Sequence, residues 1–102
     1  MTEDEAFIAL NMVPKLGPVR VRRLLDAFGG PVEILRAPAS KLQTVEGVGR
    51  EVAASIRSWE DVVDLPGELS LAREAGVGIL TLASPGYPSW LREIHDPPSV
   101  LY

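Results

Sequence analysis

The feature that most constrains this chain is a short pattern written twice. Val13-Pro14-Lys15-Leu16-Gly17 runs into a stretch with apolar residues at Val21, Leu24, Leu25 and Phe28, and Val45-Glu46-Gly47-Val48-Gly49 runs into one with Val52, Ala53 and Ile56. In both copies an apolar residue and a glycine stand just before apolar positions spaced three and four apart, the period of a helix packed along one side. Two tight turns that each launch a helix, both in the first 60 residues, call for several short helices with short connections.

The surrounding residues fit that plan. Thr2 and Glu5 have the spacing of a capping box, and Ala6, Phe7 and Leu10 continue an apolar stripe, which predicts a first helix over residues 3–11. Pro14 and Gly17-Pro18 break it, and Pro18 suits the first turn of a second helix that ends at Gly29-Gly30. Residues 31–36 and 39–43 read as two short helical pieces split by Pro38, and residues 50–59 as another helix. Residues 1–63 are therefore expected to form a small all-α domain.

The twice-written turn resembles the helix-hairpin-helix motif, in which a glycine turn presents backbone N–H groups to a DNA phosphate. A helix start has unpaired donors and a partial positive charge, and a glycine lets a phosphate come close to the backbone. Such contacts would not depend on base sequence. On that resemblance the candidate DNA-binding residues are Lys15, Gly17, Arg20 and Arg23 around the first hairpin, and Gly47, Gly49 and Arg50 around the second. The first hairpin departs from the pattern, with Lys15 where the second has Gly47. Against DNA contact stand Glu46 and Glu51, which would repel phosphate, and the fact that glycine turns between helices also serve as plain packing elements.

Charge bears on the same question. The net charge of −4 argues against a polyanion as partner. The deficit lies in residues 61–102, which carry six acids and two bases, whereas residues 1–30 and 31–60 each hold four of both. Lys15, Arg20, Arg22 and Arg23 form a block with no acid between Ala6 and Leu25. Arg20, Arg22 and Arg23 spread around a helix rather than lining one face, so a solvated helix surface is the competing explanation.

From Asp61 onward the character changes. Residues 65–75 predict a helix closed by Gly76, followed by the nearly continuous apolar run of residues 77–83, which suits a strand of a parallel sheet covered on both faces. Ser84-Pro85-Gly86-Tyr87-Pro88 predicts a turn, residues 90–94 a short helix, Asp96-Pro97-Pro98 another turn, and Ser99-Val100-Leu101-Tyr102 the start of a second strand. Phe7 and Phe28 are expected in the core; Trp59, Tyr87 and Trp90 either stack on bases or pack the small domain.

Catalytic chemistry finds no support. The chain has no cysteine and one histidine, His95, expected to be a surface or packing residue. No nucleophile with its base, no paired carboxylates and no phosphate-cradling glycine loop occurs, so the expectation is a protein that is not an enzyme and has no metal or cofactor. With no basic leader and no long apolar run, a cytoplasmic location without a membrane is expected.

The order of residues 71–102 carries a second resemblance. Leu71-Ala72-Arg73-Glu74-Ala75-Gly76-Val77-Gly78-Ile79-Leu80-Thr81-Leu82, then Pro85-Gly86-Tyr87-Pro88, Leu91-Arg92-Glu93-Ile94 and Asp96-Pro97-Pro98-Ser99-Val100-Leu101-Tyr102, resembles the DprA/Smf family of DNA-processing proteins. That resemblance implies a mainly α chain: a SAM-like or helix-hairpin-helix domain over 1–63, then in 64–102 the lead-in helix and first strand-turn-helix of an incomplete Rossmann-like α/β domain. It implies a parent protein that binds and protects single-stranded DNA during natural transformation and loads a RecA-type recombinase onto it. The family's main DNA pocket would lie beyond Tyr102, so no pocket residue carries over. A lone strand over 77–83 would have to pack on the helices, pair with the Val100 segment, pair with a second copy of the chain or be disordered, and the expectation is that it seeks a partner, intermolecular pairing included. The alternative function is a protein-interaction or structural module with no DNA contact.

Overall fold

The computed structural model describes residues 1–94 and 97–102. His95 and Asp96, the first residue of the expected Asp-Pro-Pro turn, lie outside the described residues.

In residues 1–63 all the regular structure is helical. Helix α1 (Glu3–Met12) starts at a complete capping box: the Glu5 N–H donates to Thr2 Oγ1 at 3.1 Å and the Thr2 N–H to Glu5 Oε1 at 2.9 Å. Helix α2 (Gly17–Phe28) has Pro18 in its first turn and ends at Gly29, whose N–H donates to Leu25 O. Helices α3 (Pro31–Arg36) and α4 (Ala39–Leu42) are the two short pieces on either side of Pro38. Helix α5 (Arg50–Arg57) stops earlier than residue 59, because the chain breaks at Ser58 and restarts as the single turn α6 (Trp59–Val62).

The core is built from α1, of which Ala6 to Leu10 are all buried, together with Leu16, Val21, Leu24, Ile34, Leu42, Val48, Ala53 and Ile56. α3 packs on α1, α2 and α5, and so joins the two halves of the repeat. The repeat holds in the packing. Leu10 and Leu42, Leu16 and Val48, Val21 and Ala53, and Leu24 and Ile56 occupy matching positions, and all eight are buried.

The remainder differs from the expected parallel-type strand. Helix α7 (Leu65–Glu74) is capped by Asp64, whose Oδ1 accepts the Gly67 N–H at 3.1 Å. The apolar run 77–83 then yields only β1 (Leu80–Thr81), paired antiparallel with β2 (Val100–Leu101) in the register Leu80↔Leu101 and Thr81↔Val100. Backbone groups at both ends of the run are used elsewhere. Val77 N–H donates to Ala72 O at the end of α7, and Ser84 N–H donates to Thr81 O in a turn. Beyond the pair, Leu82 N–H donates to Ser99 O. Of the partners expected for this run, the Val100 segment of the same chain takes the role. Helix α8 (Ser89–Arg92) is a single turn, shorter than residues 90–94.

This small sheet is not separate from the helices. α1 packs on α7, β1 and β2, and Leu65 and Val100 belong to the same apolar core as α1. Asp4 Oδ1 accepts hydrogen bonds from Thr81 Oγ1 and Ser84 Oγ. Tyr87 is buried and its phenol donates to Pro98 O, while the Arg92 guanidinium lies 4.9 Å from its ring centroid. Burial pushes the Tyr87 phenol above its ordinary value of 10, against the pull of Arg92. The fold is a mainly helical small domain with a minor two-stranded sheet.

Candidate nucleic-acid interface

The two hairpins have the same turn. Leu16 N–H donates to Val13 O and Val48 N–H to Val45 O, closing each turn one residue before Gly17 and Gly49 respectively. The residue before Leu16 and before Val48, Lys15 in one copy and Gly47 in the other, is left-handed, with φ of 64° and 86°. At Gly47 the conformation favours glycine, and a Cβ there would also meet Arg23 Nη1 at 3.0 Å. At Lys15 a lysine tolerates the same conformation. Leu16 and Val48 then insert into the core and fix each turn against the protein.

Helices α2 and α5 begin straight after these turns, and neither start has a side-chain cap, unlike α1 and α7. The amides of a helix's first turn have no partner within the helix, although Pro18 contributes none in α2. Gly17, with φ of 67°, and Gly49, in an extended conformation, both face open space: a Cβ at either would meet nothing within 4 Å. Two helix starts, each with a glycine at its mouth, are thus accessible to an anion.

The structure brings most of the sequence candidates together. Arg20 Nε donates to Gly47 O at 2.6 Å and its Nη1 to Lys15 O at 3.1 Å, so a single guanidinium holds the carbonyls of the matching left-handed residues in both hairpins. Arg23 Nη1 donates to Glu46 O at 3.2 Å. Lys15 Nζ sits 3.2 Å from Glu51 Oε1 in an exposed ion pair that crosses from the first hairpin to the second. Glu51, expected to repel phosphate, is thereby balanced. Arg50, the first residue of α5, is exposed, and its side chain makes no hydrogen bond among the described residues.

Sequence reasoning placed Lys15, Arg20 and Arg23 near the first hairpin. It missed that Arg20 and Arg23 reach across to the second. The signal available was the pairing of the repeats: Arg20 matches Val52 and Arg23 matches Ser55, so both cations belong to one copy only. Tyr87 is buried among its own neighbours, whereas Trp90 is 67% exposed. A cleft of about 510 Å³, lined by Met1, Val32, Leu35, Arg36, Arg57, Trp59 and Glu60, includes no hairpin residue. Among the described residues no group of three or more acids or histidines could hold a metal, and no helix is long and apolar enough to cross a membrane.

Comparison with known proteins agrees with this geometry. The SAM-like Helix-hairpin-helix tandem family matches residues 7–58, which contain both hairpins and α3. The chain is 32% identical to a DNA ligase of Bifidobacterium adolescentis over 89 residues, 82% of this chain and 10% of the ligase. It is 42% identical to the DNA integrity scanning protein DisA of Kineococcus radiotolerans over 53 residues, 52% of this chain and 15% of DisA. It is 45% identical to the DNA processing protein DprA of Bacillus subtilis over 38 residues, 37% of this chain and 13% of DprA. The match thus spans 10 to 15% of the length of these relatives. No solved structure matches the chain significantly. With its two quasi-equivalent hairpins and the matched residues covering half its length, this chain belongs to the SAM-like helix-hairpin-helix tandem family, whose domain is shared by DNA ligase, DisA and DprA.

Proposed function

We propose that this chain is a non-enzymatic DNA-contact module in which the helix starts at Gly17 and Gly49 hold backbone phosphates without reading base sequence. The observation that carries this reading is the placement of two uncapped, glycine-fronted helix starts in hairpins that one side chain, Arg20, bridges. Arg50, at the mouth of the second hairpin, supplies an unengaged cation, and Arg23, bonded among the described residues only to a neutral carbonyl, adds positive charge nearby.

The test is a titration with labelled single-stranded and duplex DNA at low and moderate salt. The wild-type chain is expected to bind at low salt and to weaken steeply as salt rises. Gly49→Asn supplies a cap that occupies the α5 amides itself, and its side chain has open space. That variant should keep or slightly raise thermal stability while losing affinity, an outcome that separates lost donors from lost folding. Absence of binding to either DNA at low salt would sink the proposal.

The finer role we propose is that of an accessory domain in a DprA-type protein that handles incoming single-stranded DNA and passes it to a RecA-type recombinase. The residue order from Leu71 to Tyr102 and the relative in Bacillus subtilis support it. Preference for single strands over duplex in the titration would add to that support. The second reading, a structural or protein-interaction module, is favoured by one observation. Arg20 and Arg23 use guanidinium donors on hairpin carbonyls, and Lys15 pairs with Glu51, which leaves fewer cations for phosphate.

A further inference from the structure

We infer that Arg20 is a positioning residue: it sets the two hairpins in register with each other instead of contacting phosphate. The inference rests on the DNA-contact reading above and assigns within it a role that charge alone would not suggest.

Arg20 is half-buried, and its donors are taken up by Gly47 O and Lys15 O on the two turns. Those two carbonyls are at matching positions of the repeat, and each belongs to a residue in the left-handed conformation. Each of the two peptide units is planar. Its carbonyl is held by Arg20, while its N–H, that of Leu16 or Val48, is held by the turn. Both ends of both planes are therefore fixed. The backbone that follows, Gly17 in one copy and Gly49 in the other, leaves those planes in a set direction, and the donors at the starts of α2 and α5 inherit it.

The guanidinium fork is what makes the bridge. Nε and Nη1 reach two acceptors on different turns at 2.6 and 3.1 Å, which a lysine ammonium on a flexible stem would not hold in one geometry. Arg23 supports the same joint by donating to Glu46 O, next to Gly47. The matching residues of the second copy, Val52 and Ser55, offer no such donor fork, so the coupling comes from one side only. Two phosphate sites in fixed register bind as a linked pair, and the second contact then forms at high effective concentration. Loss of register removes that gain without removing charge.

The experiment is a double-mutant cycle on DNA affinity with the wild-type chain, Arg20→Lys, Gly49→Asn and the double variant. All four have the same net charge. Arg20→Lys is expected to weaken binding by roughly tenfold or more, as one of two linked contacts is lost. Gly49→Asn, which disables the second site directly, should then cost much less in the Arg20→Lys background than in the wild type. Amide-detected NMR adds a readout that needs no DNA: the Arg20 Nε–H signal should be protected from exchange in the free protein, and the Gly47 and Lys15 neighbourhoods should shift in Arg20→Lys. Wild-type affinity in Arg20→Lys, or effects that simply multiply, would overturn the positioning role while leaving DNA contact intact. If the wild-type chain binds no DNA, the underlying reading fails first and takes this role with it.

Discussion

At the scale of single residues, Lys15 is the most informative position. It adopts φ of 64°, a region that costs a side-chain-bearing residue roughly 1–2 kcal/mol, where the matching residue of the other copy is glycine. Its compensation is an exposed ion pair with Glu51, of a kind worth about 0–1 kcal/mol. Lys15→Gly should therefore raise the unfolding free energy by up to about 1 kcal/mol in urea titrations. Gly47→Ala should do the reverse, since it adds the same strain and drives a Cβ to 3.0 Å from Arg23 Nη1. The two substitutions move opposite copies of one position in opposite directions. A loss of stability in Lys15→Gly as large as in Gly47→Ala would refute this account of the turn.

At the scale of elements, the start of α1 has a pH signature. The Glu5 carboxyl lies below its ordinary value of 4.5, chiefly because the Thr2 backbone N–H donates to it and then because of the Thr2 side chain. A lowered folded value means that the contribution is complete above about pH 4.5 and is lost as the pH falls through the folded value. Helicity monitored by circular dichroism should fall on the acid side less steeply in Glu5→Gln. Thr2→Ala should cost about 1 kcal/mol at neutral pH by removing the cap oxygen. This capping box, the helix ends at Gly29 and Pro38, and the span 31–36 were all legible in the sequence, because capping and proline geometry are local. The run 77–83 was not. Its branched apolar residues imply a long strand, yet Val77 and Thr81 are drawn into adjoining turns, and only the folded chain shows which backbone groups those turns take. The hairpins themselves could be read from spacing. The reach of Arg20 across to Gly47 could not, since it depends on how α2 sits against a turn far along the chain.

At the scale of the whole molecule, the core of residues 1–63 continues into the rest of the chain. Leu65 and Val100 complete the apolar cluster around α1, and Asp4 is tied to Thr81 and Ser84. A chain cut after residue 63 should fold with a lower midpoint of thermal unfolding than the full chain and should expose α1, seen as increased binding of a hydrophobic dye. Equal midpoints would show that the strand pair is an appendage. The arrangement also has a mechanical consequence. α1 leads directly into the first hairpin and at the same time bears on β1 and β2, whereas the second hairpin is fed by the single turn α4. A load applied to the strands reaches the first hairpin through α1, and reaches the second through α3 and the side chains of Arg20, Arg23 and Lys15 that cross between the hairpins. The two otherwise similar hairpins are therefore unequally joined to the strand pair, the first by one continuous helix and the second by packing and side-chain bonds.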